Sequence, residues 1–186
     1  MLLAWKVTPR RLDELRCPRE TSEPTYSEVG GTLQAGPPPG YGVIGDVAVV
    51  GTGAPRWELA ATQLRGWGLH RAAGMLVSST TAHASVGATV LSAAPFGRVS
   101  VVVPCRVVGL VDEPTRSGFA YGSLPGHPLV GEERFTVELG DDDVVRLRIW
   151  SFSRPVGLAA ALAPLARRGQ ALVNRRYCAA AGSLGT

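Results

Sequence analysis

The spacing of hydrophobic residues changes twice along the chain, and each change marks a new kind of element. VIGDVAVVG (43–51) reads as a strand. From Ala54 to about Ala73 the period lengthens. Trp57, Ala60, Ala61, Leu64 and Trp67 fall on one helical face, with Pro55 at the start and Gly74 at the end. Gly66 and Gly68 weaken the second half and allow two short helices in place of one. From Leu76 to Phe152 the pattern is that of strands, placed near 76–82, 85–93, 99–111, 116–122, 132–139 and 143–152. The turns between them include APFG, VDEPT and GDDD. Pro155 to about Ala181 predicts one long helix kinked at Pro164. Its apolar stripe comprises Leu158, Leu162, Leu165, Leu172 and Val173.

Strands joined by short connections pair most simply as an antiparallel meander. The order strand, helix, six strands, long helix predicts an α+β helix-grip fold. In it a curved antiparallel sheet of six to seven strands wraps the C-terminal helix. Such a sheet does not close tightly on its helix, and a cavity between the two suits a small apolar ligand. If Leu165 is buried there, its truncation to alanine costs about 2–5 kcal/mol. Ahead of this core, Thr8 and Pro9 start a short helix over 8–17, and residues 18–40 form an irregular arm rich in Pro, Gly, Ser and Thr. At 186 residues the whole chain is expected to be a single domain, 1–186, with the core at 41–186.

Composition narrows the function classes. Hydrophobic residues make up 45% and charged residues 18%, a globular balance. No apolar run approaches the roughly eighteen residues of a membrane span. The start, MLLAWKVTPRR, puts its positive charges after the apolar stretch, the reverse of a secretory signal, so a cytoplasmic protein is expected. Residues 1–40 and 41–155 each balance their charges. The net +4 therefore comes from Arg167, Arg168, Arg175 and Arg176 on the terminal helix. These residues suit a helix C-terminus as well as a polyanion, and without interleaved aromatics other than Tyr177 no nucleic-acid partner is expected. Cys17, Cys105 and Cys178 are scattered and odd in number, and His70, His83 and His127 do not cluster with them. Neither a disulfide framework nor a metal is implied, and no cofactor motif is present.

Several stretches carry a resemblance: TYSEVGGT (25–32), WELAATQLRGW, PCRVVGLVDEP (104–114), GFAYGSLPGHPLVGEERF (118–135), SFSRP (151–155) and PLARRGQALVNRRY (164–177). Together they resemble a bacterial and plant family known as domain of unknown function 1990, over roughly residues 23–180. The family is similar to the START-like (SRPBCC) helix-grip superfamily, a likeness that implies a cavity and not an activity. Its loop more often has Thr where this chain has Ser123, and Ser keeps the hydroxyl.

Within FAYGSLPGHPLVGEERF, alternation puts Glu133, Phe135, Val137 and Leu139 on one strand face and Glu132, Arg134, Thr136 and Glu138 on the other. The next strand places Val145, Leu147, Ile149 and Ser151 inward, so Glu132, Arg134 and Glu138 are expected to pair outside with Arg146 and Arg148. Glu133 is a carboxylate at the mouth of an apolar face. It either caps loop amides or an arginine, or it serves a ligand. His127 in its Gly-Pro loop is either a backbone anchor or an acid–base partner of Glu133. Tyr121 and Trp67 are core aromatics within reach of a ligand. Arg154 is expected across the rim from Glu133. Arg106 and Arg176, on otherwise apolar faces, point to an anionic head on that ligand. The ligand-binding candidates are thus Tyr121, His127, Glu133, Arg154, Arg106, Arg176 and Trp67. Binding of a small apolar or amphipathic molecule leads. A cyclase or dehydratase acting on a polyketide-like or steroid-like substrate in the same cavity is the alternative.

Overall fold

The computed structural model describes residues 2–5, 7–34 and 36–185. Among them are eight strands in one antiparallel sheet: β1 (Leu2–Trp5), β2 (Gly42–Thr52), β3 (Leu76–Ser79), β4 (Thr89–Phe96), β5 (Val99–Glu113), β6 (Arg116–Ser123), β7 (Leu129–Leu139) and β8 (Val144–Pro155). The strand order is β2-β8-β7-β6-β5-β4-β3. The six expected strands form the meander, and the early strand β2 returns to pair with the last one, β8. The expected strand at 85–93 lies instead at 89–96, because the chain turns at Gly97 (φ 64°), a left-handed position that glycine takes without strain. β1 was not anticipated. It lies beside the first residues of β5, where β6 has already ended.

The helices are α1 (Pro9–Arg16), α2 (Ala54–Arg65), α3 (Gly68–Ala72), α4 (Leu158–Ala161) and α5 (Ala163–Ala180). Thr8 caps α1, its hydroxyl accepting from the Arg11 amide at 3.2 Å. The helix expected over 54–73 is indeed two, broken at Gly66 and at Trp67 (φ 65°). The C-terminal helix is not continuous from Pro155, which ends β8. Leu162 leaves the helical region (φ −112°, ψ 34°), and Pro164 starts α5 in its first turn instead of kinking a longer helix. No described helix is long and apolar enough to cross a membrane.

The inner face of the sheet carries the main core. α2 and α3 cover one end of it with Ala60, Leu64, Trp67 and Leu69 against Phe119, Phe135, Val137 and Leu147. α5 covers the other end only with its last turns, through buried Asn174, Tyr177 and Ala180. Its first half stands off. Leu162, Leu165 and Leu172 are 46%, 64% and 41% exposed, and the side chain of Leu158 lies outside the described set. The leucine stripe therefore overhangs a space and is not buried against strands. Leu165→Ala should accordingly change stability by no more than about 0.5 kcal/mol in chemical denaturation, well below the cost of a buried leucine.

On the outer face α1 buries Leu12 against Leu91, Ala93 and Val102. The arm that follows is irregular apart from 3-10 turns at Cys17–Arg19 and Gly31–Leu33, and it is tied to the sheet at several points, most densely at Glu132. Glu132, fully buried on the outer face, accepts from Tyr26 Oη (2.7 Å), Gly30 N (2.7 Å) and Thr32 N (2.8 Å), and from the Thr32 hydroxyl. Gly122, paired with Glu132, leaves room for the Tyr26 ring. A Cβ there would lie 1.9 Å from the tyrosine oxygen. This corrects the expected outer ion pairs. Glu138 does pair with Arg148, and with Arg116 as well, but Arg146 pairs with Asp142 and Glu132 holds the arm. Arg134 donates to the Thr32 carbonyl at 2.6 Å and lies over Trp150.

Candidate functional site

Between the stand-off half of α5 and the inner sheet face lies a cavity of about 710 Å³, within the range of small-molecule sites. Met75, Ala94, Phe96, Val101, Val103 and Leu129 contribute apolar wall. The exposed leucines of α4–α5 and Leu3 of β1 stand where it opens. At the buried end the wall turns polar. Tyr121, Glu133 and Ser151 are direct cross-strand partners on β6, β7 and β8, so pairing register sets them in a row on one face. Asn174 and Tyr177 come down from α5 to the same end.

Tyr121 Oη donates to Glu133 Oε2 at 3.2 Å and lies 3.3 Å from His70 Nε2. His70 is fully enclosed, with ring centroids of Phe135 and Tyr177 at 5.2 and 5.1 Å. Burial holds its pKa down to about 3, with Arg71 adding to the effect, so it is neutral. Its Nδ1 has no hydrogen-bond partner. With the proton on Nε2, the donors run one way, from His70 to Tyr121 to Glu133. Burial pushes the Glu133 carboxyl up to about 7. The Tyr121 hydrogen bond opposes this and Asp46 reinforces it. Asp46 is tied to the site through Asn174, whose Nδ2 donates to Asp46 Oδ2 at 2.9 Å. Ser151 Oγ and Asn174 Oδ1 are buried without a partner.

The sequence candidates divide. Tyr121, His127 and Glu133 all line the cavity. His127 does so from the rim, and it does not bond Glu133. Its Nδ1 lies 2.6 Å from the carbonyl oxygen and 3.0 Å from the amide nitrogen of Leu129, and burial lowers its pKa to about 4. The loop around it is tied down by Leu2 N to Gly126 O (3.1 Å) and Arg19 Nε to Pro125 O (3.2 Å).

The other four do not line the cavity. Arg154 is exposed on the outer face, over the Tyr41 ring at 5.0 Å, because with Ser151 inward an odd step of three carries 154 outward. Arg106 does share a face with Val102, but that face is the outer one. There it donates to the carbonyls of Arg19 (3.1 Å) and Glu20 (2.8 Å). Arg176 reaches the edge of the sheet, donating to Pro95 O at 2.9 Å over the Phe96 ring. Trp67 is buried against Phe119 in the packed core. Sequence reading missed His70, although it lies one helical turn from Trp67 on the same stripe. It also missed Asn174, a polar residue beside Val173 on the terminal stripe, whose partner Asp46 is 128 residues away.

Among known proteins the chain is 35% identical over 185 residues to a UPF0548 protein of Deinococcus radiodurans, covering 94% of this chain and 90% of that one. A UPF0548 protein of Arabidopsis thaliana is 42% identical over 62 residues, 30% of each chain. A crystal structure of the hypothetical protein jhp0584 from Helicobacter pylori superposes with a TM-score of 0.59 at 14% identity, over 78% of this chain and 88% of that one, a likeness of fold. Residues 25–180 match the family described as Domain of unknown function (DUF1990), and they contain both the Glu132 cradle and the Glu133 row. The chain, with its helix-grip fold, belongs to that family.

Proposed function

We propose that the protein binds a small apolar or amphipathic molecule between its sheet and its C-terminal helix. The observation that carries this reading is the shape and chemistry of one space. A cavity of about 710 Å³ has aliphatic walls, an opening edged by exposed leucines, and polar atoms gathered at its buried end. Burying an apolar body there removes its surface and that of the exposed leucines from water, at roughly 25 cal/mol per Å². His127 and its Pro-Gly loop serve as a fixed rim, and Tyr121 and Glu133 as the polar end.

Native mass spectrometry of the purified protein, followed by titration with 1-dodecanol in competition with a fluorescent apolar probe, tests the reading. A retained small molecule or saturable 1-dodecanol binding is expected. Ala166→Trp, which fills the cavity from α5, should weaken that binding while leaving the fold intact. No retained molecule together with no binding of either probe would overturn the proposal.

A second reading, a cyclase or dehydratase in the same cavity, is favoured by one observation. The Glu133 carboxyl is held near 7, where it can both give and accept a proton. The acid–base partner in that reading is Tyr121 and not His127, whose Nδ1 is taken by Leu129.

A further inference from the structure

The buried end of the cavity is polarised in one direction. Tyr121 supplies Glu133 with a hydrogen bond, yet none of the described residues supplies it with a positive charge. The influences on its carboxyl are burial, Tyr121 and a second carboxylate, Asp46. The arginines that could have served are committed elsewhere: Arg106 to arm carbonyls, Arg176 to Pro95 and Arg154 to Tyr41. Arg168 also borders the cavity, but it is exposed and lies toward the outer half of α5.

Two further groups point into the same end without partners. Ser151 is 2% exposed and Asn174 3% exposed, and Ser151 Oγ and Asn174 Oδ1 have no hydrogen bond. The orientation of the Asn174 amide is fixed, because its NH₂ must face the Asp46 carboxylate to donate. That leaves an acceptor, Oδ1, turned away from Asp46. Ser151 stands directly across from Glu133 in the register, and Asp46 lies opposite Ile149, two residues from Ser151 on the same face. An unpartnered buried acceptor and an uncompensated buried carboxylate both carry a free-energy penalty that a suitable ligand removes. Among the described residues no His, Cys, Asp and Glu cluster could hold a metal, and the aliphatic wall beside these polar atoms suits an organic body.

Resting on the ligand-binding reading above, we infer that the site selects an amphiphile with a protonated primary amine. Its ammonium would sit among Glu133, Ser151 and Asn174 and its apolar body along the aliphatic wall. Three N–H donors match the carboxylate, the amide oxygen and the hydroxyl oxygen. The head is therefore cationic, the opposite of what the arginines suggested in the sequence. Burial first and Asp46 second raise the Glu133 carboxyl, against the hydrogen bond from Tyr121. A bound ammonium stabilises its ionised form by a charge-assisted hydrogen bond.

The test compares three probes of one chain length below their micellar concentrations: dodecylammonium chloride, 1-dodecanol and sodium dodecanoate. Isothermal titration at pH 7.5 should show the amine binding tighter than the other two by about tenfold or more, the worth of one charge-assisted contact. Glu133→Gln should abolish that preference, bringing the ratio of amine to 1-dodecanol affinity to within about twofold of one. Dodecanoate binding as tightly as the amine overturns the inference and leaves the ligand-binding reading standing, as does a Glu133→Gln variant that keeps the amine preference. Failure of all three probes removes both. Should the variant not fold, the wild-type ranking of the three probes decides alone.

Discussion

Glu132→Ala should destabilise the protein by roughly 3–5 kcal/mol, because its buried carboxylate holds the N-terminal arm. The carboxylate accepts from Tyr26, Gly30 and both the amide and the hydroxyl of Thr32. Removing it strands four donors, each with a desolvation penalty of about 1–3 kcal/mol, partly relieved as the arm loosens and lets water in. The Tyr26 hydroxyl, whose pKa burial and then its bond to Glu132 push far up, becomes an unsatisfied buried donor. Thermal and urea unfolding measure the loss, and faster proteolytic cleavage within residues 18–34 should accompany it. Tyr26→Phe, which removes one donor along with its bond, should cost far less than Glu132→Ala. Equal losses in the two variants, or an alanine variant as stable as the wild type, would refute the cradle as the anchor of the arm.

Glu133→Gln, one residue along, should do the reverse and stabilise the protein at alkaline pH. The folded-state pKa of Glu133 is raised from 4.5 to about 7, chiefly by burial. Between those two values the folded state holds a proton that the unfolded state has lost, so rising pH through this window destabilises the wild type. The full difference, reached above about pH 7, corresponds to roughly 3 kcal/mol. Glutamine keeps an oxygen to accept from Tyr121 and carries no charge. The variant should therefore match the wild type below about pH 4.5 and exceed it at pH 8.

His70 and His127 act in the opposite sense. With pKa values depressed to about 3 and about 4, they add stability above about 6.5 that is lost as pH falls. Their contribution is common to both proteins and cancels in the difference. Equal stability of variant and wild type at pH 8 would show that Glu133 is solvated and that the buried end of the cavity is open to water.

Adjacent glutamates with opposite effects show how far the sequence could be read. Alternation along β7 separates Glu132 from Glu133 without any structure, and it groups Glu133 with Phe135 and Val137. The same alternation, carried from Ser151, puts Arg154 outside. The expectation of a rim pair between Arg154 and Glu133 set that parity aside. The stretches that carry the family resemblance were visible as well, but what they do was not. TYSEVGGT and the first glutamate of GEE meet across about a hundred residues to fix the arm, so those stretches serve architecture at least as much as the cavity.

By itself the sequence determined the sequence order of strands and helices, the antiparallel meander, the break near Gly66, the capped start of α1 and the two faces of each strand. All of these follow from local steric preferences and from periods of 2 and 3.6 residues. Only the tertiary structure decided which of the two faces is concave, how far α5 stands from it and what each arginine meets. Periodicity is blind to side: an apolar stripe reads alike whether it lies over a packed core, like Leu64, or over a cavity, like Leu165. Sidedness comes from sheet curvature, from the bulges at Val49/Gly51 and Val107/Gly109, and from where α2 and α3 fill the inner face first. The polar end of the cavity arises in the same way. His70, Tyr121, Glu133, Ser151 and Asn174 come from five different elements, and register and helix docking bring them together.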